Sequence, residues 1–247
     1  MDETEGLVSE ALSSYQQVWS KKPVLRAVYG DLFDRLAARC APGRTLEIGG
    51  GVGGLKDRLP DIIASDIQHA PWLDLVADAQ ALPFAPGSLS NIVLLDVLHH
   101  IEHPMNFFRE AARILRPGGR IVMVEPAITP GSAAVYRFMH HEPVRMGDDP
   151  LTDGAPDPGR DPYDSNQAIP TLIATRDRDR FHRLAPELRL VEKSWFSFFA
   201  YPLSGGFKPW TLVPASLAKP VIGLERALEK PLGRLLGFRL LLRIDRE

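Results

Sequence analysis

The run Gly49-Gly50-Gly51-Val52-Gly53-Gly54 constrains this chain more than any other feature. It follows the apolar stretch Thr45-Leu46-Glu47-Ile48 and precedes Leu55-Lys56-Asp57-Arg58-Leu59, which reads as the start of a helix. A strand, a glycine turn and a helix in that order suit a nucleotide. Glycine lets backbone turn tightly and lie against a ligand, and a helix start offers free N–H groups. The alternation continues downstream. Ile62-Ile63-Ala64-Ser65, Leu75-Val76-Ala77, Asn91-Ile92-Val93-Leu94-Leu95 and Ile121-Val122-Met123-Val124 are further strand candidates. Residues 105–115 place Phe108, Ala111, Ala112 and Leu115 on one helical face, and Arg116-Pro117-Gly118-Gly119 ends that helix. Such a pattern specifies an α/β fold with a doubly wound, mostly parallel sheet.

The glycine spacing alone leaves two ligands open. Gly49, Gly51 and Gly54 fit the dinucleotide pattern G-x-G-x-x-G, while Gly49, Gly51 and Gly53 after Glu47 fit E-x-G-x-G-x-G. The acid separates them. A carboxylate repels a pyrophosphate, but it holds a ligand with a cationic amino-acid end by charge-assisted hydrogen bonds or through water. Asp66 closes the next strand, where a ribose-binding acid belongs. The plainer alternative is that Glu47 caps a neighbouring helix and the glycines only form a turn.

In this order the motifs resemble the class I S-adenosylmethionine-dependent methyltransferases, the methyltransferase type 11 family in particular. Glu47-Ile48-Gly49-Gly50-Gly51-Val52-Gly53 resembles the family's first motif. Asp66-Ile67 resembles its second-strand acid, which implies that Asp66 holds the ribose hydroxyls. Ala77-Asp78-Ala79-Gln80-Ala81-Leu82-Pro83-Phe84 resembles the adenine segment, with Asp78 near the exocyclic amine and Ala79 acting by backbone. Leu95-Asp96-Val97-Leu98-His99-His100-Ile101 resembles the segment beside the methionine end, and Leu115-Arg116-Pro117-Gly118-Gly119-Arg120 the turn before the fifth strand. The resemblance implies a Rossmann-like fold, S-adenosyl-L-methionine as cofactor, and cofactor contacts from Glu47, Gly49, Gly51, Gly53, Asp66, Ile67, Asp78, Ala79 and Asp96. The extra glycines Gly50 and Gly54 read as harmless.

The family's chemistry is in-line displacement at the sulfonium methyl, in which the protein mainly positions the reactants. An oxygen acceptor benefits from a general base, and histidine titrates near neutral pH. His100, from the pair His99-His100, and His140, from His140-His141, are the candidates. The competing readings are a loop-shaping motif for the first pair and a helix C-terminus for the second. Asp164-Ser165-Asn166-Gln167 is either an acceptor contact for a polyhydroxyl compound or a local turn. Asp148, Asp149, Asp153, Asp157 and Asp161 match no calcium loop, so no metal is expected.

Four segments of one structural domain are expected. Residues 1–43 form N-terminal helices, with Leu25, Val28, Leu32 and Leu36 at helical spacing. Residues 44–126 form the cofactor-binding core, and 127–187 a lid and acceptor insertion whose stretch 142–170 orders on binding. Residues 188–247 carry the last strands, including Trp195-Phe196-Ser197-Phe198-Phe199, with a C-terminal helical insertion cut by Pro214, Pro220 and Pro231 before the last strand.

Composition narrows the function classes. With a net charge of -2 the chain is not a basic nucleic-acid binder, and Cys40, its 1 cysteine, excludes an internal disulfide. The acidic start and the lack of an apolar run of about 20 residues predict a cytoplasmic protein. Residues 207–247 are mildly basic, and Arg226, Lys230 and Arg234 stand four apart. That row is either a solvated cap or a weak peripheral membrane contact.

The expected function is methyl transfer to a small-molecule or sugar-containing acceptor. One alternative is a lipid-like acceptor at a membrane. Another is a nicotinamide-dependent dehydrogenase using Gly49, Gly51, Gly54 and Asp66. The last is a non-catalytic cofactor-binding protein.

Overall fold

The computed structural model describes residues 9–139 and 142–247. Its sheet contains β1 (Thr45–Ile48), β2 (Ile63–Asp66), β3 (Leu75–Val76), β4 (Leu89–Leu95), β5 (Leu115–Pro126), β6 (Leu188–Phe196) and β7 (Arg239–Arg246). The strand order is β3-β2-β1-β4-β5-β7-β6, with β7 alone antiparallel to its neighbours. From β1 the chain steps outward to β2 and β3, then returns to place β4 on the other side of β1. That reversal opens a crevice at the carboxyl ends of β1 and β4, the usual ligand position in such sheets.

The period-2 alternation of a strand buried on both faces explains the apolar runs. Val93, Val122, Val124 and Leu241 face a layer holding Leu25, Leu32 and Leu36 of α2 (Pro23–Ala37). Ile92, Leu94, Ile121 and Met123 face the opposite layer, with Phe107, Phe108 and Ala111 of α3 (Pro104–Ile114). Short helices α5 (Ile169–Ala174) and α6 (Arg178–Leu184) complete that second layer. The α2 side also carries α1 (Glu10–Lys21), α7 (Ala200–Ser204) and α8 (Ala215–Leu236), and α4 (Pro130–Met139) packs against α8.

Three expectations need correction. The helix after the glycines is one 3-10 turn, Gly54–Asp57, because Pro60 disfavours helical backbone at Leu59 and ends the segment. The strand through Trp195 stops at Phe196, because Ser197 turns the chain at a φ of 59°. The C-terminal insertion does lie between the last two strands, but Pro220 and Pro231 do not divide it: α8 runs unbroken over 22 residues. Its buried face outweighs the two lost backbone bonds. Ala218, Glu225 and Gly233 lie inward, and at Gly233 the helix backbone lies so close to Trp195 that a Cβ would stand 2.2 Å from its carbonyl oxygen. Among the described residues, no helix is long and apolar enough to cross a membrane.

Candidate functional site

Gly49, Gly51, Asp66, Ile67, Asp78, Ala79, Asp96 and His100 meet around one cavity of about 230 Å³ at the carboxyl ends of β1, β2 and β4. The glycine turn forms its floor. Gly49 has a φ of 69°, and a Cβ there would stand 2.2 Å from Val97 Cγ2, so only glycine lets the turn pass under the β4 segment. Asp66 holds the turn in place. Its Oδ2 accepts from the Gly51 amide at 3.1 Å and its Oδ1 from the Gln68 amide at 3.0 Å. Burial pushes the Asp66 carboxyl above its ordinary range against the pull of those amides. Trp72 donates from Nε1 to the Gly51 carbonyl at 2.7 Å, a second clamp with no signal in the sequence.

Two expected contacts stand behind this floor. Gly53 turns at a φ of 71° against Trp72. Glu47 is 4% exposed, and its Oε2 has no hydrogen-bond partner. Burial, reinforced by Asp66, pushes its carboxyl up to about 8. A buried carboxylate wants a cation or a donor. The two glycines taken as spare have packing duties: a Cβ at Gly50 would stand 3.0 Å from Leu73 Cδ2, and one at Gly54 2.9 Å from both Phe33 and Trp19.

The β4 exit is organised by Glu125, a fully buried acid at the end of β5. Its Oε1 accepts from the Val97 and Leu98 amides at 2.9 Å, and its Oε2 pairs with His99 Nδ1 at 2.8 Å. On its other side His99 Nε2 stands 3.6 Å from Glu142. Burial opposes the charge on His99, but the two carboxylates outweigh it and push the imidazole up to about 9. His99 is therefore the loop-shaping member of the pair. His100 is different. It lines the cavity, and its Nδ1 lies 3.3 Å from the Asp164 carbonyl, so Nδ1–H donates and Nε2 keeps its lone pair. Burial, then the charge on His99, lowers its pKa, leaving a neutral base at pH 7. His140 lies outside the described residues.

Asp96 closes the far wall with an uncommon φ of 58° for a residue with a side chain. It pairs with Arg239, a 4% exposed guanidinium at the start of β7 that lies 4.4 Å over the Tyr201 ring. Sequence reasoning missed Arg239 because its partner is 143 residues away.

Arg160, Pro162 and Tyr163 supply the roof. Arg160 donates to the His100 carbonyl at 2.7 Å and to the Asp164 carbonyl at 2.8 Å. Tyr163 accepts from Gln68 at 3.0 Å, and both residues line the cavity, with Leu12 and Tyr15 of α1 beside them. The polar cluster turns inward: Ser165, Asn166 and Gln167 are buried, Ser165 and Gln167 donate to Glu142, and the Asn166 amide donates to the His99 carbonyl at 2.9 Å. These bonds close a local turn that seats Glu142. Two aspartates of the same stretch are engaged nearby, Asp149 with Arg180 at 2.7 Å and Asp153 with Arg109.

The cavity thus combines the apolar side chains of Ile67 and Ala79 with the acids Asp66, Asp78 and Asp96, and behind its glycine turn lies Glu47 with an unpartnered oxygen. Residues 46–123, from β1 into β5, match the family model described as a methyltransferase domain. Residues 46–123 form a methyltransferase domain of the class I S-adenosylmethionine-dependent type. Over 59 residues it is 37% identical to 27-O-demethylrifamycin SV methyltransferase from Amycolatopsis mediterranei, covering 24% of this chain and 22% of that one. Over 122 residues it is 33% identical to demethylmenaquinone methyltransferase from Beutenbergia cavernae, covering 42% of this chain and 50% of that one. The methyltransferase domain therefore spans half or less of these relatives' length. A solved S-adenosylmethionine-dependent methyltransferase from Thermotoga maritima superposes over 91% of this chain and 92% of its own, with a TM-score of 0.55 and 14% identity, a likeness of fold.

Proposed function

We propose that this protein transfers a methyl group from S-adenosyl-L-methionine to a small-molecule acceptor. The observation that carries the reading is Glu47, a buried carboxyl group with an unpartnered oxygen behind the glycine turn, which ionises when a cation reaches it. Such a group disfavours a pyrophosphate and favours an α-ammonium, directly or through water. That counts against a nicotinamide dinucleotide. The residues present fit the cofactor: Asp66 would hold the ribose hydroxyls, Ile67 and Ala79 would flank the adenine, and Gly49, Gly51 and Asp96 would border the amino-acid end. When bound, S-adenosylmethionine supplies a methyl group already activated on sulfonium sulfur.

The chain's own residues do the rest. Arg160 and Tyr163 roof the cavity. His100 Nε2 accepts the acceptor's proton, and burial together with the neighbouring cationic His99 keeps His100 neutral beforehand. A second, polar cavity shares Tyr15, Arg160 and Tyr163 with the first and is the entry assigned to the acceptor. Its other walls include Arg145, Asp164 and Ser165. The demethylrifamycin and demethylmenaquinone relatives are both named for low-molecular-weight acceptors, which supports the same class here.

Calorimetry with S-adenosylmethionine, S-adenosylhomocysteine and NAD tests the reading. The first two are expected to bind wild type and to lose at least ten-fold in affinity in Asp66→Ala. Binding of NAD in their place would overturn it.

A further inference from the structure

We propose that α8 docks the protein on an anionic membrane surface. The helix has three stripes. Ala218, Glu225 and Gly233 face the protein. Leu217, Leu224 and Leu235 are 51%, 57% and 52% exposed and share one outward face with Pro220 and Pro231. Beside that face, at helical spacing, stand Lys219, Arg226, Lys230 and Arg234, all exposed. The segment leading into the helix adds Trp210 and Leu212, 47% and 71% exposed.

Charge selects the occupant. Both acids of α8 are turned inward and engaged: Glu225 accepts from the amides of Phe198, Phe199 and Ala200, and Glu229 pairs with Arg35 at 2.5 Å. Two of the cations also have protein partners, Arg226 with Asp31 and Arg234 over the Trp195 ring at 5.1 Å. Lys219 and Lys230 make no ion pair with a described residue. An apolar stripe bordered by cations, with the helix's own acids withdrawn, complements a surface of apolar chains beneath anionic headgroups. A second copy fits poorly. An isologous pairing of α8 with itself sets like charges together and offers no outward acid to meet them.

Co-sedimentation of the full chain with phosphatidylcholine vesicles, with and without phosphatidylserine, tests the proposal. Binding is expected only with phosphatidylserine and should weaken with added salt. Lys219→Glu with Lys230→Glu should weaken it at least ten-fold. Leu217→Ser with Leu224→Ser and Leu235→Ser should abolish it. All variants should keep the wild-type unfolding temperature and S-adenosylmethionine affinity, since these side chains point to solvent. Because binding to vesicles is read without cofactor, a failed cofactor assignment leaves this test unaffected. Three results would overturn the proposal: no vesicle binding, vesicle binding that ignores both variants, or self-association that the leucine variant removes.

Discussion

Glu47 and His100 show how burial sets the working state of single residues. The unfolded Glu47 carboxyl titrates near its ordinary 4.5 and the folded one at about 8, so the folded protein binds the extra proton between those values. Its contribution to stability is full below the lower value and is lost as pH rises through the upper one. Binding a ligand ammonium at pH 7 should therefore expel a proton. Calorimetry in buffers of different ionisation enthalpy is expected to find release approaching one proton in wild type and none in Glu47→Gln, which should also bind more weakly. His100 has a lowered pKa, so the acid limb of kcat should fall with a midpoint below 6.5. His100→Ala should lower kcat by roughly 10²–10⁴-fold and flatten that limb, leaving cofactor affinity near wild type. A flat wild-type limb would remove His100 from the role of base.

At the scale of elements, one side chain ties together the two helices of the insertion between β6 and β7. Glu225 reaches from α8 to three successive amides where β6 turns into α7, donors that the turn would otherwise leave unmet. Glu225→Ala should cost about 3 kcal/mol, the loss expected when bonds to a charged group vanish and buried donors are stranded. Glu225→Gln should retain part of it, because one oxygen makes all three contacts. Urea unfolding would measure both, and equal midpoints for wild type and Glu225→Ala would show that α7 and α8 are held by packing alone.

For the whole molecule, β7 runs between β5 and β6, so the C-terminal insertion and the cofactor half share one sheet. A single cooperative thermal transition is expected. A ligand at about one hundred times its Kd should stabilise the protein by about 2.7 kcal/mol. Asp66→Ala should show no such shift at the same concentration. The stretch 142–170 is tied down at Arg160, whose guanidinium spans the His100 and Asp164 carbonyls. Arg160→Ala should increase protease cleavage within 142–170 in the ligand-free protein, with added cofactor restoring part of the protection. Two separate thermal transitions would argue that this stretch and the insertion unfold apart from the sheet.

Local pattern determined what short-range physics can specify. Strand runs with residues for both faces, glycine where φ is positive, and acids at strand ends were all legible, and they placed eight expected site residues around one cavity. Other features depended on distant partners. Arg239 meets Asp96, Glu125 divides His99 from His100 in role, and Trp72 locks the Gly51 carbonyl, each across a separation that periodicity does not see. Helix α8 shows the same limit from the other side. Its two prolines argued for fragments, and only the face packed on α2 and β6 outweighs them. Propensity acts over a few residues, whereas burial and charge pairing are settled by whatever the fold brings together, so the motif could be read in advance and the wiring behind it could not.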